Sequence, residues 1–322
     1  MLRNLNQPSF PDPTGGGPLI SIAICTRNRA AYLEAALRSV LPQLQDDTEL
    51  MVVDNGSTDH TADLVRQFAA DHPAVRYLIE TSTGLSIARN TAMVQARGQY
   101  VIFLDDDATV EPGWLAAYRQ FFQTPPAPQI AVAGGAVLPK YQSPPPAWLS
   151  PRENNFDRGA RPFRFQRQDG PWETNSAYAR LPVLKLGGFD VRLGHIGACV
   201  GSHEGPDLML RLQDAGYEVW WLPGAAVRHT IHADRINLRW YCRAAFASGA
   251  ASALKRLKLA GRPGRRLTLR VGRLAVAPFQ VLINLAAFLV CILLGRPAVS
   301  VTALRRALRA TGYGWQLMKL KS

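Results

Sequence analysis

Short apolar runs alternate with stretches of helical periodicity over the first third of the chain. Four runs rich in β-branched and aromatic residues have the length of buried strands, and they lie at 19–25, 50–53, 75–79 and 101–104. The segments between them carry apolar residues at helical spacing, at 30–41, from a cap at 57 or 58 to about 70, and at 85–96. Strands that alternate with helices in this way predict a mostly parallel, doubly wound α/β sheet.

The pattern continues less regularly through the second third. We predict a helix over 111–122, a strand over 130–138, a helix running to Leu212 and a last strand over 217–222. Residues 139–170 are rich in Pro, Arg and aromatic residues and have little periodicity. A loop of that length in a compact domain is either functional or mobile.

Three consecutive carboxylates, Asp105, Asp106 and Asp107, directly follow the strand predicted over 101–104. Adjacent aspartates repel one another, so we expect them at the edge of the sheet, in water or around a cation. In an extended chain Asp105 and Asp107 point to the same side and can share a divalent metal ion. An acidic turn after a strand is the alternative, since short acidic clusters are common in loops.

The end of the second strand offers a group suited to a nucleotide. Asp54 can accept hydrogen bonds there from a base edge or a ribose hydroxyl. The sequence has no GxGxxG motif after the first strand and no GxxxxGK[ST] motif. Nicotinamide dehydrogenases and P-loop enzymes are therefore poor interpretations.

Charge is distributed unevenly, and the imbalance changes the interpretation of the C-terminal part. Residues up to Asp234 hold 20 Lys and Arg against 24 Asp and Glu, a balance of −4, whereas residues from Arg235 hold 17 Lys and Arg and no acid, a balance of +17. The net charge of +13 on 322 residues therefore belongs to the tail. A basic tail is typical of proteins that bind nucleic acid or an anionic membrane.

An uncharged apolar segment, 274–294, favours the membrane over nucleic acid. Its length matches the roughly 20 residues that a helix needs to cross a bilayer. Basic residues flank it on both sides, and Pro278 and Asn284 interrupt it, so a re-entrant or in-plane anchor is favoured slightly over a crossing. The mixed basic and apolar segment 304–320 resembles an interfacial helix. A buried helix of a globular domain is the remaining alternative for 274–294.

The rest of the composition bears on the compartment. Residues 1–18 are rich in Pro, Gly and Asn and lack the apolar centre of a signal peptide, so we expect a flexible leader. The four cysteines are scattered without metal or redox spacing, which predicts buried thiols in a reducing compartment. With the basic tail, this predicts a protein at the cytoplasmic face of a membrane, without a nucleic-acid partner.

Four segments resemble the successive signatures of the family 2 glycosyltransferases, in the same order and spacing. They are 22–29 (IAICTRNR), 52–59 (VVDNGSTD), 84–90 (GLSIARN) and 103–107 (FLDDD). The resemblance implies the GT-A nucleotide-diphospho-sugar transferase fold and the transfer of a sugar from a nucleotide diphosphate donor with inversion. The implied domain covers 19–235, with a nucleotide half (19–110) and an acceptor half (111–235), and the basic helical tail follows over 236–322.

The resemblance also assigns residues to the nucleotide part of the donor. Thr26, Arg29 and Asp54 would line the base and the ribose, and Arg89 would approach the diphosphate or the base. From the residues alone, Thr26 can equally cap the following helix, and Arg89 can be a solvated charge.

The same resemblance implies a metal site. Asp105 and Asp107 would be the metal-binding pair of a DxD motif for Mg²⁺ or Mn²⁺, and Asp106 would contact the donor. A cation that bridges two phosphates neutralises the leaving nucleotide diphosphate as the sugar bond breaks. His229 would be a third metal ligand or a phosphate contact, although a lone histidine is more often structural.

The acceptor side is expected around 172–180, which resembles the family's short loop with an Asn-x-Ala core. Asn175 lies in that core, and Trp172 or Trp148 could stack on a sugar face, although most tryptophans pack in cores. The turn at 187–190 (GGFD) resembles the one that usually follows this loop.

An inverting transfer needs one general base near the attacking hydroxyl. In the family the base comes from an acidic pair at the start of a helix, and here 203–212 (HEGPDLMLRL) resembles that pattern. Gly205 stands where the second acid of the pair is usual. Glu204 is the first candidate for the base and Asp207 the second, although Asp207 can also cap the helix.

Together these features predict a membrane-associated enzyme that moves one sugar from a nucleotide-sugar donor to a lipid-linked or envelope glycan acceptor. Gly205 motivates one rival, an inactive member that binds nucleotide sugar or glycan as a membrane scaffold. A nucleotidyltransferase that releases pyrophosphate is the second rival, but no triphosphate-binding loop follows the first strand.

Overall fold

The computed structural model describes residues 19–150, 153–193, 203–260 and 263–319. The predicted leader, 1–18, and Cys199 lie outside these residues. The three cysteines within them are free thiols of intermediate burial: Cys25, Cys242 and Cys291.

The chain divides into two compact units. The first comprises Met1–Pro139, Asn155–Gly194 and Glu204–His229, and the second comprises Lys140–Asn154, His195–His203 and Thr230–Ser322. The two units are defined by which parts of the chain pack together, and they do not test where a functional domain ends. The domain boundary predicted at 235 therefore stays a prediction.

Parallel strands and crossover helices form the first half of the first unit, as predicted. The strands are β1 (Ile20–Thr26), β2 (Thr48–Asp54), β3 (Val75–Ile79) and β4 (Tyr100–Leu104). The helices between them are α1 (Ala30–Val40), α2 (Thr61–Asp71) and α3 (Leu85–Gln95). Every residue of β2 and β4 is buried, which explains why these strands show continuous apolar runs without alternation.

The second half adds shorter elements. The strands are β5 (Ala108–Val110), β6 (Ile130–Gly134), β7 (Val137–Tyr141), β8 (Phe163–Arg164), β9 (Asn175–Ala179), β10 (Glu218–Trp221) and β11 (Val227–Ile231). The helices are α4 (Trp114–Gln123), α5 (Arg180–Lys185) and α6 (Glu204–Asp214). The helix predicted from residue 111 starts at Trp114, directly after Gly113, whose φ of 80° is left-handed and lies outside the helix.

The described strands form a mixed, mostly parallel sheet of eight in the order β3-β2-β1-β4-β9-β6-β10-β8. Strand β1 pairs in parallel with β2 on one side and with β4 on the other. Strand β9 lies antiparallel between β4 and β6, although the sequence predicted a loop there. The carboxyl ends of β1 and β4 therefore flank the topological switch point, where open α/β sheets bind their ligands.

Two glycines interrupt the strand predicted over 130–138. It ends at Gly134 and resumes at Val137. A Cβ atom on Gly135 would lie 1.7 Å from the carbonyl oxygen of Ala225, so a side chain cannot be accommodated without moving backbone. The resumed strand β7 joins a second, smaller sheet in the order β5-β11-β7.

Three long helices make up most of the second unit: α7 (Leu238–Ala260), α8 (Pro263–Leu293) and α9 (Pro297–Lys319). Glycines allow α7 and α9 to pack closely. A Cβ atom on Gly249 would lie 2.0 Å from the backbone oxygen of Arg309, and one on Gly312 would lie 2.0 Å from that of Phe246.

The apolar part of α8 is exposed. Among the described residues, one helical segment, Leu274–Leu293, is long and apolar enough to cross a membrane; its mean hydropathy is 2.3 and none of it is buried in the molecule. Phe279, Leu282 and Ile283 are each more than half exposed. The alternative of a buried core helix is therefore wrong for this segment, while the choice between a crossing and an in-plane anchor stays a prediction.

Candidate active site

The acidic segment and the first loop meet at the switch point of the sheet. Thr26 ends β1, and residues 105–107 follow its parallel neighbour β4. Asn28, in the loop after β1, has a φ of 55°, a left-handed conformation that asparagine tolerates. Its Oδ1 accepts a hydrogen bond from the backbone N–H of Thr58 at 2.6 Å, which ties the β1 loop to the β2 loop.

Asp105, Asp107 and His229 form a candidate metal site. One ligand atom from each lies within 4.8 Å of the others. His229 reaches the aspartates because β11 pairs with β5 and places it opposite Ala108. Its Nε2 lies 3.1 Å from Oδ1 of Asp107. Carboxylates are preferred ligands of Mg²⁺ and Mn²⁺, so the donor set fits the predicted ion.

The middle aspartate holds an arginine. Asp106 accepts one hydrogen bond from the Thr26 hydroxyl and one from Nη1 of Arg29, both at 2.7 Å. The same Nη1 also lies 2.9 Å from Oδ2 of Asp107. Burial raises the pKa of Asp106 to about 6, against the lowering effect of Arg29, and the charge of Asp107 raises it further.

Thr26 and Asp106 were both predicted to contact the donor, and both are nearly inaccessible in the structure. Thr26 and Asp106 are 3% and 5% exposed, and they bind each other. Thr26 bonds to Asp106, and Asp106 holds the guanidinium of Arg29. Through these bonds the two residues would affect a donor by way of Arg29. Direct donor contact by either stays a prediction.

Asp54 shapes the turn after β2. Its Oδ1 accepts a hydrogen bond from the Ser57 N–H at 2.8 Å, and its Oδ2 accepts one from the Tyr77 hydroxyl at 2.7 Å. Burial and this hydrogen bond raise the pKa of Tyr77 to about 12. Asp54 is 3% exposed, and its predicted contact with a base or ribose is likewise untested.

Arg89 connects the metal side to the acceptor side of the site. Its Nη1 lies 2.7 Å from Oε1 of Glu204, and its Nη2 lies 3.7 Å from Oδ1 of Asp105. The rings of Phe103 and Phe189 lie 5.8 Å and 5.7 Å from its guanidinium carbon. Arg89 is 3% exposed, which rules out the alternative of a solvated charge.

The carboxylates of the two predicted bases each form an ion pair with an arginine. Glu204 is fully buried, and its Oε1 is the partner of Arg89. Asp207 is 7% exposed, and its Oδ2 lies 2.9 Å from Nε of Arg211. Arg211 also donates to the backbone oxygen of Gly188, so Asp207 anchors the predicted glycine turn.

Sequence reasoning missed Glu173. Burial raises the pKa of this carboxyl to about 7; the charge of Arg89 opposes the shift, and the charges of Glu204 and Asp105 add to it. Its neighbour Thr174 donates a hydrogen bond of 2.7 Å to Oδ2 of Asp105. No local sequence pattern marks Glu173. The one related signal in the sequence is Gly205, which stands where a second acid is expected. That Glu173 lies beside Gly205 becomes visible only in the folded chain.

The acceptor-side predictions have mixed outcomes. Asn175 is fully buried: its amide nitrogen donates to the backbone oxygens of Ala136 and Ala225, and its Oδ1 accepts from Trp114 and Tyr118. This corrects its predicted role, because a side chain with all its polar atoms bonded in the core cannot bind an acceptor. Trp172 is 38% exposed and stacks on another ring, and its sugar contact stays a prediction.

Comparison with known proteins now identifies the family. A sequence profile described as glycosyl transferase family 2 matches residues 21–181, half of the 322-residue chain. The chain belongs to that family. Glycosyltransferase activity is thus the established class of function, and the resemblance in the four signatures is confirmed.

Relatives match to different extents. The chain is 25% identical over 237 residues to a glucosyl-dolichyl phosphate glucuronosyltransferase of Haloferax volcanii, which covers 71% of this chain and 75% of the relative. It is 38% identical over 95 residues to a chondroitin synthase of Escherichia coli, but that match spans 30% of this chain and only 14% of the relative.

Solved structures show the same fold. A mannosyltransferase from Pyrobaculum calidifontis in complex with GDP-Man and Mn²⁺ superposes with a TM-score of 0.59 at 20% identity, covering 95% of this chain and 89% of that one. GalNAc-T7 with UDP, GalNAc and Mn²⁺ gives 0.51 at 18% identity, covering 71% of this chain and 48% of that one. These likenesses confirm the GT-A fold.

Proposed function

We propose that this protein transfers a sugar from a nucleotide diphosphate donor to a lipid-linked or envelope glycan acceptor, with inversion and with a divalent metal ion, at the cytoplasmic face of a membrane. The observation that carries the proposal is the cluster of Asp105, Asp107 and His229 at the switch point of a family 2 sheet. Two neighbours that share the fold hold a nucleotide or nucleotide sugar together with Mn²⁺, which supports the same donor class here.

The donor side follows from the charges at this point. Mg²⁺ or Mn²⁺, held by Asp105, Asp107 and His229, would supply positive charge to the diphosphate as it leaves. Arg29 is fixed beside the site by Asp106 and Asp107, so its orientation does not have to be ordered when a donor binds. Arg89 is a second cation near the metal site, with its Nη2 3.7 Å from Oδ1 of Asp105, and its other nitrogen is paired with Glu204.

Inversion requires a carboxylate on the acceptor side. The acceptor hydroxyl loses its proton to a base as its oxygen bonds to the anomeric carbon, and the bond from that carbon to the phosphate oxygen breaks with its electron pair. The carboxylates of Glu173, Glu204 and Asp207 are the candidates in this part of the described structure.

The tail supports an acceptor at a membrane. The exposed apolar segment Leu274–Leu293 belongs to a region that carries 17 basic residues and no acid. Anionic lipids on the cytoplasmic leaflet attract such a region. An enzyme confined to the surface that holds its acceptor meets that acceptor at a higher effective concentration. The Haloferax relative, named for a dolichyl phosphate-linked substrate, agrees with this acceptor class.

The test is a panel of nucleotide sugars incubated with the purified full-length protein, Mn²⁺ or Mg²⁺ and a membrane lipid extract, with release of nucleoside diphosphate as the readout. We expect release with one donor, loss of release with a chelator, and loss in Asp107→Asn. Asp63→Asn is the matched control, because Asp63 is an exposed aspartate whose side chain pairs with Arg66 on the surface of α2.

Other outcomes would favour the rivals. Donor binding without release from any acceptor in the extract would support an inactive scaffold. Pyrophosphate release from a nucleoside triphosphate and a sugar phosphate would support a nucleotidyltransferase.

A further inference from the structure

The start of α6 has a side chain from another part of the chain packed against it. A Cβ atom built on Gly205 would lie 1.7 Å from Oε1, 2.2 Å from Cδ and 2.3 Å from Cγ of Glu173. The carboxyl group of Glu173 therefore occupies the volume that any side chain at 205 would take. Gly205 is the position at which the helix lacks the expected second acid, so an acid is present there after all, supplied by the segment before β9.

Two carboxylate oxygens near this point lack partners. Oε1 of Glu173 and Oε2 of Glu204 are buried and accept no hydrogen bond from the described residues. A buried acceptor without a hydrogen-bond partner destabilises the folded chain. Such groups in native structures are often explained by a functional role.

The three acids differ in their partners. Glu204 is fully buried with one oxygen bound to Arg89, and Asp207 is held by Arg211. Glu173 is of intermediate burial as a residue, and its Oε1 is buried and accepts no hydrogen bond from the described residues. Its flanking residues are Trp172, which is exposed, and Thr174, which binds the candidate metal ligand Asp105. Along the chain, Glu173 thus stands between the exposed Trp172 and Thr174, the residue that bonds to Asp105.

We propose that Glu173 is the general base of the transfer and that Glu204 positions Arg89. This inference rests on the proposed function. Glu173 takes the proton of the acceptor hydroxyl while the acceptor oxygen bonds to the anomeric carbon. The bond from that carbon to the diphosphate breaks, and its electron pair leaves with the nucleoside diphosphate. The proton remains on Glu173 until it is lost to solvent.

The electrostatics agree with this role. Burial raises the pKa of Glu173 to about 7, near the value at which a general base is most effective at neutral pH. The charged and titratable groups that act on it are Arg89 from α3, Glu204 from α6, Asp105 after β4 and Tyr178 from β9. A base with this pKa gives a kcat/KM that rises with pH to a plateau above about 7.

The first test compares the full-length wild type with Glu173→Gln, using the donor identified by the nucleotide-sugar panel. We expect turnover to fall by about 100-fold or more, while the donor dissociation constant, measured by calorimetry with Mn²⁺ and without acceptor, stays within about twofold. Glu34→Gln, an exposed glutamate on α1, is the control and should retain wild-type turnover. Retention of turnover in Glu173→Gln would overturn the inference.

A relocation experiment tests the same point if Glu173→Gln does not fold. Glu173→Ala removes the carboxylate and clears the space beside Gly205, and Glu173→Ala/Gly205→Asp returns a carboxylate from α6. We expect turnover of the double variant to exceed that of Glu173→Ala by about tenfold or more. Equal turnover in the two variants would overturn the inference. If the wild type itself releases no nucleoside diphosphate, the proposed function fails, which is a different result.

Discussion

At the scale of single residues, the site is built from acids held at different levels of burial around Arg89. Glu204 neutralises that guanidinium, and Asp105 lies at its other nitrogen. Glu173 adds a third acid whose charged form is disfavoured, because burial raises its pKa and the charges of Glu204 and Asp105 add to the shift against the effect of Arg89. With a pKa of about 7, Glu173 can bind and release a proton near neutral pH.

Replacing Glu173 with glutamine should stabilise the protein at about pH 8 and have little effect near pH 5. The pKa of Glu173 is about 7 in the folded chain against an ordinary value of 4.5. Between pH 4.5 and about pH 7 the folded state binds more protons than the unfolded state. The free energy of unfolding therefore falls as pH rises through this range, and it stays lower above pH 7. We expect a gain of about 1–3 kcal/mol in the free energy of unfolding at pH 8.

Urea unfolding at the two pH values measures this effect, with Glu34→Gln as the control. A loss of stability at pH 8, or a change of the same size at both pH values, would contradict the raised pKa.

Replacing Arg89 with methionine should destabilise the first unit strongly. Glu204 would then be a buried carboxylate without a cation, a change that typically costs about 3–5 kcal/mol. Adding Glu204→Gln to Arg89→Met should recover a large part of that loss, because the unpaired charge disappears. Chemical denaturation of the two single variants and the double variant completes the cycle, and strictly additive losses would argue against the pair.

Several residues of the site could be predicted from the sequence, and the exceptions have physical reasons. The acids after β4 and the histidine after the last strand were predicted to share a metal, and they do lie together. Glu173 and Asn175 could not be placed, because their environments depend on residues far away in the sequence. Asn175 was assigned to a loop, but it starts a buried strand and bonds to α4.

At the scale of elements, the nucleotide half follows the apolar periodicity closely, since β1, β2 and β4 are buried along almost their whole length and α1 has one apolar side. The second half departs from it. Strands β5, β8, β9 and β11 were missed because they are short or carry polar residues, and their pairing partners are distant in the sequence. These departures matter for function, since β5 and β11 together bring His229 to the aspartates.

Substituting alanine at Gly135 tests the break between β6 and β7. The new Cβ atom would meet the carbonyl oxygen of Ala225 at 1.7 Å, and backbone atoms have little room to shift. We expect a loss of about 2–3 kcal/mol in the free energy of unfolding. Gly272→Ala on α8 is the control, because its Cβ would meet nothing within 4 Å and alanine favours helix. A loss no larger than that of the control would contradict the close approach.

At the scale of the whole molecule, the two parts of the chain differ in charge and in surface. The part up to Asp234 is slightly acidic, and the remainder is strongly basic and carries an exposed apolar helix. Composition predicted the basic charge and the apolar segment. It could not exclude a buried helix, since burial depends on what packs against the segment, and the structure answers that point for Leu274–Leu293.

Binding to vesicles tests the proposed role of the tail. The full-length protein should cosediment with vesicles that contain anionic phospholipid, and salt should weaken the interaction. Leu282→Glu/Ile283→Glu should reduce binding, because both side chains belong to the exposed apolar surface of α8. Leu181→Glu, an exposed leucine on α5, is the control. Equal binding by both variants would remove the support for membrane attachment through α8.

The central claim is sugar transfer from a nucleotide diphosphate donor with inversion, and the most direct measurement is NMR of the anomeric centre in the product. The full-length protein, the donor found in the panel, Mn²⁺ and the lipid acceptor would be incubated together, and the released nucleotide quantified. We predict a product whose anomeric configuration is opposite to that of the donor, formed in equal amount to the nucleoside diphosphate. A product with the donor's configuration, or release of pyrophosphate in place of nucleoside diphosphate, would contradict the account.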